Sequence, residues 1–228
     1  MKICAIIPAA GHGARMGKTI PKQFLEFNGK PILRHTLHVF KTCGLFDSLV
    51  LVAPPDAMRA AEEECAGIEI AVVPGGEKRQ DSVFQGVRAL DADTEIVVVH
   101  DGVRPFVSRR MIRESVDAAR RFGAAITAIP VNDTVKRASP EGFVERTIDR
   151  ESLWRIQTPQ AFQYSLLRQA LEQAAADGYY GTDEGALIEH IGKPVKIIRG
   201  SELNIKITRP EDLVLGETIA AAGNFLED

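Results

Sequence analysis

The chain has 228 residues, of which 45% are hydrophobic and 26% charged, and its formal net charge is −3 at pH 7. This length suffices for one domain with a buried core, and the near balance of charges argues against general binding to nucleic acid or to a membrane surface. Met1-Lys2 leads directly into an apolar strand, so neither a signal peptide nor a membrane span is indicated. The widely spaced Cys4, Cys43 and Cys65 favour reduced thiols in a cytoplasmic protein over a disulfide or a zinc site.

A glycine-rich loop follows the first predicted strand. Residues 3–7 are apolar, as expected of a parallel strand buried on both faces, and Pro8 ends the strand. In the loop, Gly11 and Gly13 permit a positive φ and a close approach of the backbone to a ligand. Ala9 and neighbouring small residues keep bulk away from that ligand. The loop is therefore predicted to bind a ligand through its backbone.

Three cations follow within eight residues, namely Arg15, Lys18 and Lys22. Positive charge beside exposed backbone N–H groups is typical of a phosphate site. We therefore interpret the loop as a cradle for a nucleoside triphosphate. The alternative is a surface loop that binds no ligand.

Two familiar phosphate motifs resemble this loop, and neither fits. A P-loop requires glycine at position 12, where the chain has His12. Pro21 also prevents a helix from growing directly out of the loop, because the residue before a proline is disfavoured in the α region. The dinucleotide fingerprint fails as well, since Met16 occupies the place of its third glycine.

Strands and helices alternate along the rest of the chain. This alternation predicts a Rossmann-like, doubly wound, mainly parallel α/β sheet that binds ligands at the carboxyl ends of its strands. We predict strands at 49–53, 68–73, 95–99, 124–129, 195–198 (an edge strand) and 204–208. We predict helices from about 31 to 43, through Val83 and Leu90, at 108–122, at 163–176 and from Pro210. Two further helices are predicted with their caps: one from Asp56 through 62–64, capped by Asp56, and one at 183–191, capped by Thr182.

Two more polar loops follow predicted strands. Gly75-Gly76 permits a close backbone approach ahead of a helix, where Ser82 also fits as an ordinary residue of the helix start. The most apolar strand, predicted to be central, leads to Asp101 and Arg104. A carboxylate and an arginine facing a triphosphate suggest a magnesium ligand and a phosphate clamp. The adjacent His100 is interpreted as a histidine whose ring is satisfied within the fold.

Residues 132–157 break the α/β pattern. Polar and apolar residues alternate here, and 134–137 are predicted to pair with 144–147 as a β-hairpin. An isolated two-stranded ribbon is marginally stable in water. We therefore expect a single domain over 1–228 whose arm, at about 132–157, packs against a second copy of the chain.

The motifs together resemble one enzyme family, 2-C-methyl-D-erythritol 4-phosphate cytidylyltransferase. The similarity covers nearly the whole chain in order, and its departures are small: Glu77 stands where many members have Asp, and residues 201–203 differ from the usual pattern. The motifs that carry it are PAAGHGARMG with PKQ, GGEKRQDSV, VVVHDGVRP, NDTVKR, TIDR, TPQAF, TDE and NIKIT.

The resemblance implies the nucleotidyltransferase fold and a reaction. In such enzymes the 4-phosphate of the polyol attacks the α-phosphorus of CTP and releases diphosphate, with Mg²⁺ or another divalent cation as cofactor. The expected partners are CTP, a polyol phosphate and a second copy of the chain bound through the hairpin arm. Nucleic acid and membranes are not expected partners.

The resemblance also implies a role for individual residues. Arg15, Lys22, Lys206 and Arg150 are expected to be catalytic, and Asp101 to hold the metal. The nucleotide site is expected at Ala9, Ala10, Gly11, Gly13, Gly76, Ser82, Asp101 and Gly102, and the polyol phosphate at Arg104, Thr158, Thr182 and Lys206, with Thr134 and Arg150 reaching across the dimer.

Two alternatives stay open at this stage. A ribitol 5-phosphate cytidylyltransferase would share the fold, the CTP loop and the chemistry but use another polyol. A catalytically silent nucleotide sensor would need fewer cations than Arg15, Lys22 and Lys206 together with Asp101 provide.

Overall fold

A seven-stranded sheet with helices on both faces forms the body of the computed structural model, which describes residues 1–11 and 21–223. The strands are β1 (Lys2–Pro8), β2 (Glu26–Phe27), β3 (Lys30–Pro31), β4 (Ser48–Ala53), β5 (Ala71–Pro74), β6 (Thr94–Val99), β7 (Ala124–Pro130), β8 (Val135–Ala138), β9 (Val144–Ile148), β10 (Trp154–Gln163) and β11 (Lys196–Arg199). The helices are α1 (Ile32–Cys43), α2 (Met58–Glu64), α3 (Arg79–Arg88), α4 (Arg109–Phe122), α5 (Tyr164–Ala176), α6 (Glu184–His190) and α7 (Pro210–Ala221). None of these described helices has the length and hydropathy needed to cross a membrane.

The strand order confirms the predicted fold class. The large sheet runs β11-β7-β10-β6-β1-β4-β5, with β6 in the middle and β11 at an edge. Neighbours β6, β1, β4 and β5 are parallel, and β7 and β11 are parallel to each other. Between these two groups, β10 pairs antiparallel with both β6 and β7.

Strand β10 is the main element that the sequence analysis missed. It belongs to the central sheet, so the prediction that the arm extends to residue 157 is wrong at that end. Pro159 lies inside the strand, and a proline within an apolar run argues against a central strand. The register of β10 shifts between Ile156 and Gln160, and this irregularity accommodates the proline. The remaining arm is the predicted hairpin, in which β8 pairs with β9 as a separate two-stranded sheet.

Several element boundaries also differ from prediction. The third predicted strand begins at Ala71, not at residue 68. Pro55–Ala57 forms a 3-10 turn, so α2 begins at Met58 and Asp56 does not cap it. Two consecutive prolines, at 54 and 55, favour that tight turn over a direct helix start.

Two further predictions fail near the carboxyl end of the chain. Residues 204–208 form no strand; the N–H of Ile207 donates to the carbonyl of Val103 and so ties the segment to the loop after β6. The cap of α6 is Asp183, not Thr182. The Asp183 carboxylate accepts the N–H of Ala186 at 3.0 Å, which satisfies one of the unpaired donors of the helix start.

The core lies in two layers because side chains alternate across β1. Ile3 and Ile7 face the layer under α1 and α4, whereas Ile6 faces the layer under α3 and α5. The cysteines are buried and unpaired, as expected of reduced thiols. These two layers hold the sheet between the helices. Because β1 and β6 are parallel neighbours, their carboxyl ends lie side by side at one edge of the sheet.

Helix α3 approaches β1 closely at Gly86. A Cβ at this position would lie 2.5 Å from Cγ2 of Ile6 and 3.1 Å from Cγ2 of Val52. In an unobstructed helix, alanine is more stabilising than glycine by roughly 0.5–1 kcal/mol. At this position the added methyl would overlap buried side chains, so the sign of the effect should reverse.

We predict that Gly86→Ala lowers the free energy of unfolding by about 1–3 kcal/mol, because the core must shift to admit the methyl group. Urea denaturation measures the change. Gln85→Ala, an exposed change in the same helix, is the control and should stay within about 0.5 kcal/mol of the parent. A Gly86→Ala chain as stable as the parent would contradict the close packing of α3.

Candidate active site

A cavity of about 210 Å³ opens at the carboxyl ends of β1 and β6. A larger depression, of about 790 Å³, lies at the amino ends of the same two strands and has none of the convergent cations described below. Ligands of open α/β sheets bind at carboxyl ends, so the smaller cavity is the candidate site. The cavity is lined by Pro8 at the end of β1 and residues 9–11 after it, by Lys22 and Gln23, by residues 76–78 before α3 and Arg79 and Ser82 in its first turn, by Asp101 and Val103 after β6, and by Lys206.

The wall formed before α3 presents backbone to the cavity. A Cβ on Gly75 would lie 2.4 Å from the Cβ of Ala10, and one on Gly76 would lie 2.4 Å from the Cβ of Asp81. Larger residues are therefore excluded at both positions. Gly11 does not use the positive φ that glycine permits, and a Cβ there would meet no described atom within 4 Å.

Ser82 holds this wall in place. Its hydroxyl donates to the carbonyl of Lys78 at 3.1 Å and accepts the N–H of Gly76 at 3.1 Å. Ser82 therefore has both positions that the sequence suggested: it lies in the first turn of α3, and it lines the cavity. Direct contact with a bound base stays a prediction.

Gln23 fixes the opposite wall and was not singled out from the sequence. Its buried side-chain amide donates to the carbonyl of Ala9 at 2.6 Å. Gln23 follows Lys22 in a short 3-10 turn (Lys22–Phe24), so this bond ties the turn to the end of β1 and brings Lys22 to the cavity. Gln23 is part of the motif PKQ, but the sequence does not show that its side chain binds the carbonyl of Ala9, 14 residues earlier.

Three cations surround the carboxylate of Asp101. Arg79 Nε lies 3.2 Å from Oδ1, Arg104 Nε lies 3.3 Å from Oδ2, and Lys206 Nζ lies 2.8 Å from Oδ2. Burial alone would raise the pKa of Asp101, but the charges of the three cations outweigh burial and hold that pKa well below its usual value. Asp101 is therefore an anion at neutral pH, as a metal ligand must be.

Arg79 is itself held by a second buried carboxylate, that of Glu184. Nη1 lies 2.6 Å from Oε1 and Nη2 lies 3.0 Å from Oε2, a two-pronged pairing to a side chain only 1% exposed. Burial opposes the charge on Arg79, yet Glu184 and Asp101 together raise its pKa. The sequence analysis named neither residue as functional, because a pair separated by 105 positions leaves no local pattern.

His100 is buried and satisfied, as predicted. Its Nε2–H donates to the carbonyl of Arg104 at 3.1 Å, so Nδ1 accepts the hydroxyl of Thr158 at 3.0 Å. The same hydroxyl oxygen accepts the backbone N–H of Asp101 at 3.1 Å. Thr158, expected to meet the polyol phosphate, therefore supports the backbone of Asp101 from beneath. Any contact of its own with a substrate stays a prediction.

The other predicted site residues lie elsewhere. Gly102 is buried and is not among the residues that line the cavity; a Cβ on it would lie 3.1 Å from that of Ala9. Thr134, Arg150 and Thr182 are exposed and are not among the residues that line the cavity of their own chain. Gly13 and Arg15 fall outside the described residues.

The comparisons with known proteins agree with this geometry. A family model described as "IspD: 2-C-methyl-D-erythritol 4-phosphate cytidylyltransferase" matches residues 3–222. The chain belongs to this family. Proteins of that name are similar over nearly their full length: one from Geobacillus kaustophilus is 50% identical and covers 96% of both chains, and one from Pelotomaculum thermopropionicum is 47% identical and covers 97% of this chain and 95% of the relative.

Solved structures of the family share the fold. The cytidylyltransferase from Thermus thermophilus matches with a TM-score of 0.83 and 36% identity, covering 97% of this chain and all of the other. The 4-diphosphocytidyl-2C-methyl-D-erythritol synthase from Anaerococcus prevotii matches with a TM-score of 0.87 and 34% identity over 96% of each chain.

The site fits a divalent cation that arrives with its nucleotide. Among the described residues, no three His, Cys, Asp or Glu side chains converge as a self-sufficient metal cage. Mg²⁺ is commonly bound through one or two carboxylates together with substrate phosphates. Asp101 can supply one such carboxylate at the cavity, and the surrounding cations suit the phosphates.

The buried His100 makes a prediction about pH. Burial lowers its pKa to about 4, so the folded chain binds fewer protons than the unfolded chain between pH 6.5 and 4, and stability falls as the pH falls through this range. The loss should approach about 1.4 kcal/mol per pH unit. In His100→Gln this dependence should weaken but not vanish, because burial also lowers the pKa of His35, whereas His38→Gln, at an exposed imidazole, should keep the full dependence.

Urea denaturation from pH 7.5 to 4.5 measures this difference. Asp101 does not interfere, because its pKa lies well below this range. If His100→Gln and the parent lose stability at the same rate on acidification, the buried neutral imidazole is not the cause.

Proposed function

We propose that the chain transfers CMP from CTP to 2-C-methyl-D-erythritol 4-phosphate, giving 4-diphosphocytidyl-2-C-methyl-D-erythritol and diphosphate in non-mevalonate isoprenoid biosynthesis. The observation that carries the proposal is the convergence of Arg79, Arg104 and Lys206 around one buried carboxylate, in a cavity that Lys22 also lines, in a chain that matches this family over residues 3–222. A sensor of nucleotides would not require so much positive charge at the phosphates.

The reaction needs charge neutralisation more than a proton carrier. A phosphate oxygen of the polyol attacks the α-phosphorus in line, and the bond from that phosphorus to the bridging oxygen breaks, so diphosphate departs with the electron pair. Lys22 and Lys206 both line the cavity, where they can stabilise charge that develops on the α-phosphate. We assign Arg15 to the same task, and Arg104 to the phosphate of the polyol.

Asp101 would hold the divalent cation of CTP, which would neutralise phosphate oxygens and orient the triphosphate. Thr158 and Arg104 fix the orientation of Asp101. Backbone groups of Ala9, Ala10, Gly11 and Gly76, together with Ser82, are proposed to receive the cytidine. A rigid backbone wall can distinguish the amino group of cytosine from the carbonyl of uracil.

The hairpin arm supports a dimeric enzyme. Strands β8 and β9 form a sheet of their own in which Phe143 is 74% exposed and Val144 is 63% exposed. A ribbon that buries so little is marginal in isolation. We propose that it docks on a second copy and delivers Thr134 and Arg150 to the partner's cavity, which neither residue reaches in its own chain. The buried free thiols suit the cytoplasm as the place of action.

The decisive assay is diphosphate release from the purified chain with MgCl₂. We expect release with CTP and 2-C-methyl-D-erythritol 4-phosphate, and a kcat/KM at least about a hundred-fold lower with UTP, because a site built for the cytosine amino group leaves polar groups unpaired against uracil. Ribitol 5-phosphate is the matched acceptor control. Faster release with ribitol 5-phosphate would assign the other polyol, and release with neither acceptor would favour a sensor.

Mixed dimers test the arm. Lys22→Ala and Arg150→Ala chains should each be inactive, but if Arg150 serves the partner, a mixed dimer holds one site with both lesions and one with neither. Random reassortment of equal amounts makes about half of all dimers mixed, so about a quarter of all sites should be intact. Diphosphate release after co-refolding, with dimers verified by size-exclusion chromatography, measures the recovery.

The control pairs Lys22→Ala with Asp101→Asn. Both lesions lie in the cavity of their own chain, so every site of a mixed dimer carries one lesion and mixing should restore nothing. If the Lys22→Ala and Arg150→Ala mixture likewise restores nothing in verified mixed dimers, Arg150 does not act in the partner's site.

A further inference from the structure

We propose that Glu184 is a positioning residue that keeps the carboxylate of Asp101 available to the divalent cation of CTP by occupying both terminal nitrogens of Arg79. The proposal rests on the proposed function, since it concerns how that site receives Mg²⁺ and CTP. Glu184 does not itself reach the cavity: it is 1% exposed and is not among the residues that line it. Its effect must therefore pass through Arg79.

The geometry divides Arg79 between two carboxylates. Glu184 takes Nη1 at 2.6 Å and Nη2 at 3.0 Å, which leaves only Nε to meet Oδ1 of Asp101 at 3.2 Å. A guanidinium prefers to pair with a carboxylate through two parallel N–H groups. Oδ2 of Asp101 already faces Arg104 and Lys206. Oδ1, which faces Arg79, is therefore the oxygen more open to a metal. If Glu184 released Arg79, the guanidinium would pair with Asp101 through two nitrogens and occupy that oxygen.

The charges act in the same direction. The described cluster sets the two carboxylates against three cations, Arg79, Arg104 and Lys206. Neutralising Glu184 leaves one carboxylate among the same three cations. The excess positive charge repels Mg²⁺, while it still attracts the triphosphate.

A purely structural role does not require a buried charge at position 184. The segment that carries Glu184 is tied to the fold by neutral contacts: Gln80 Nε2 donates to the carbonyl of Tyr179 at 3.0 Å, and Gln80 Oε1 accepts the N–H of Gly181 at 2.9 Å. Gln160 Oε1 likewise accepts the N–H of Gly185 at 3.1 Å. Because burying an ion pair costs desolvation energy and adds little stability over apolar packing, the charge on Glu184 points to the site.

The test uses the full-length chain without the polyol phosphate. Isothermal titration calorimetry gives the dissociation constant of CTP over a series of MgCl₂ concentrations, and hence the MgCl₂ concentration at half-effect. Glu184→Gln should raise that concentration by about five-fold or more, because Arg79 then competes for Asp101. At saturating MgCl₂, CTP should bind within about two-fold of wild type, since the triphosphate contacts remain.

Gln80→Met is the matched control, because it cuts the neutral tether between α3 and the same segment but leaves every charge in place. It should lower the Tm and leave the MgCl₂ concentration at half-effect unchanged within about two-fold. The double variant Arg79→Gln/Glu184→Gln should reach half-effect at the same MgCl₂ concentration as wild type or a lower one, because Arg79 is no longer present to compete for Asp101. This reversal is not expected of a residue that only stabilises the fold.

Three results would overturn the proposal: an unchanged MgCl₂ dependence in Glu184→Gln, the same shift in Gln80→Met, or CTP binding by wild type that does not depend on MgCl₂. If circular dichroism shows that Glu184→Gln does not fold, Glu184→Asp replaces it. This variant keeps the charge but withdraws it by one methylene, so a smaller shift of the same sign is expected and none would refute the role. Diphosphate release by wild type judges the proposed function separately.

Discussion

The site depends on one constraint: a carboxylate, Asp101, is buried at the carboxyl end of the central strand. An unpaired ion in that position would cost several kcal/mol, so cations must surround it. The chain brings them from three segments, the start of α3, the loop after β6 and the segment 204–208 that contains Lys206. The same convergence that stabilises Asp101 creates a cavity with excess positive charge, which is the chemistry that a triphosphate requires.

Each support of Asp101 places a demand on another part of the fold. Thr158 accepts the backbone N–H of Asp101 and must come from β10, and its hydroxyl then needs the neutral ring of His100 as an acceptor. Arg79 needs Glu184 on α6 to balance its charge. The antiparallel insertion of β10 between β6 and β7 is therefore part of the site's architecture, because it carries Thr158 to the end of the parallel strands.

The sequence predicted what depends on neighbours along the chain. Asp101 and Arg104 follow one strand, the glycines precede α3, and the hairpin shows its alternation locally, so these features could be interpreted from spacing. Strand β10 was hidden by Pro159, and the importance of Lys206 came only from the family resemblance. Two contacts could not be predicted from local patterns: the Arg79–Glu184 pair and the hydrogen bond from Gln23 to Ala9. The order of the strands in the sheet decides which residues meet in each of them.

The cavity and the hairpin arm complement each other. The cavity concentrates cations that suit phosphates, while the hairpin exposes Phe143 and Val144, and Arg150 at its base donates to the carbonyl of Asn132. Packing the arm on a second chain would bury the apolar side chains and could carry Arg150 to a phosphate. In that arrangement, substrate binding and dimer contact stabilise each other, because the arm orders one side of the site and the bound phosphate holds the arm.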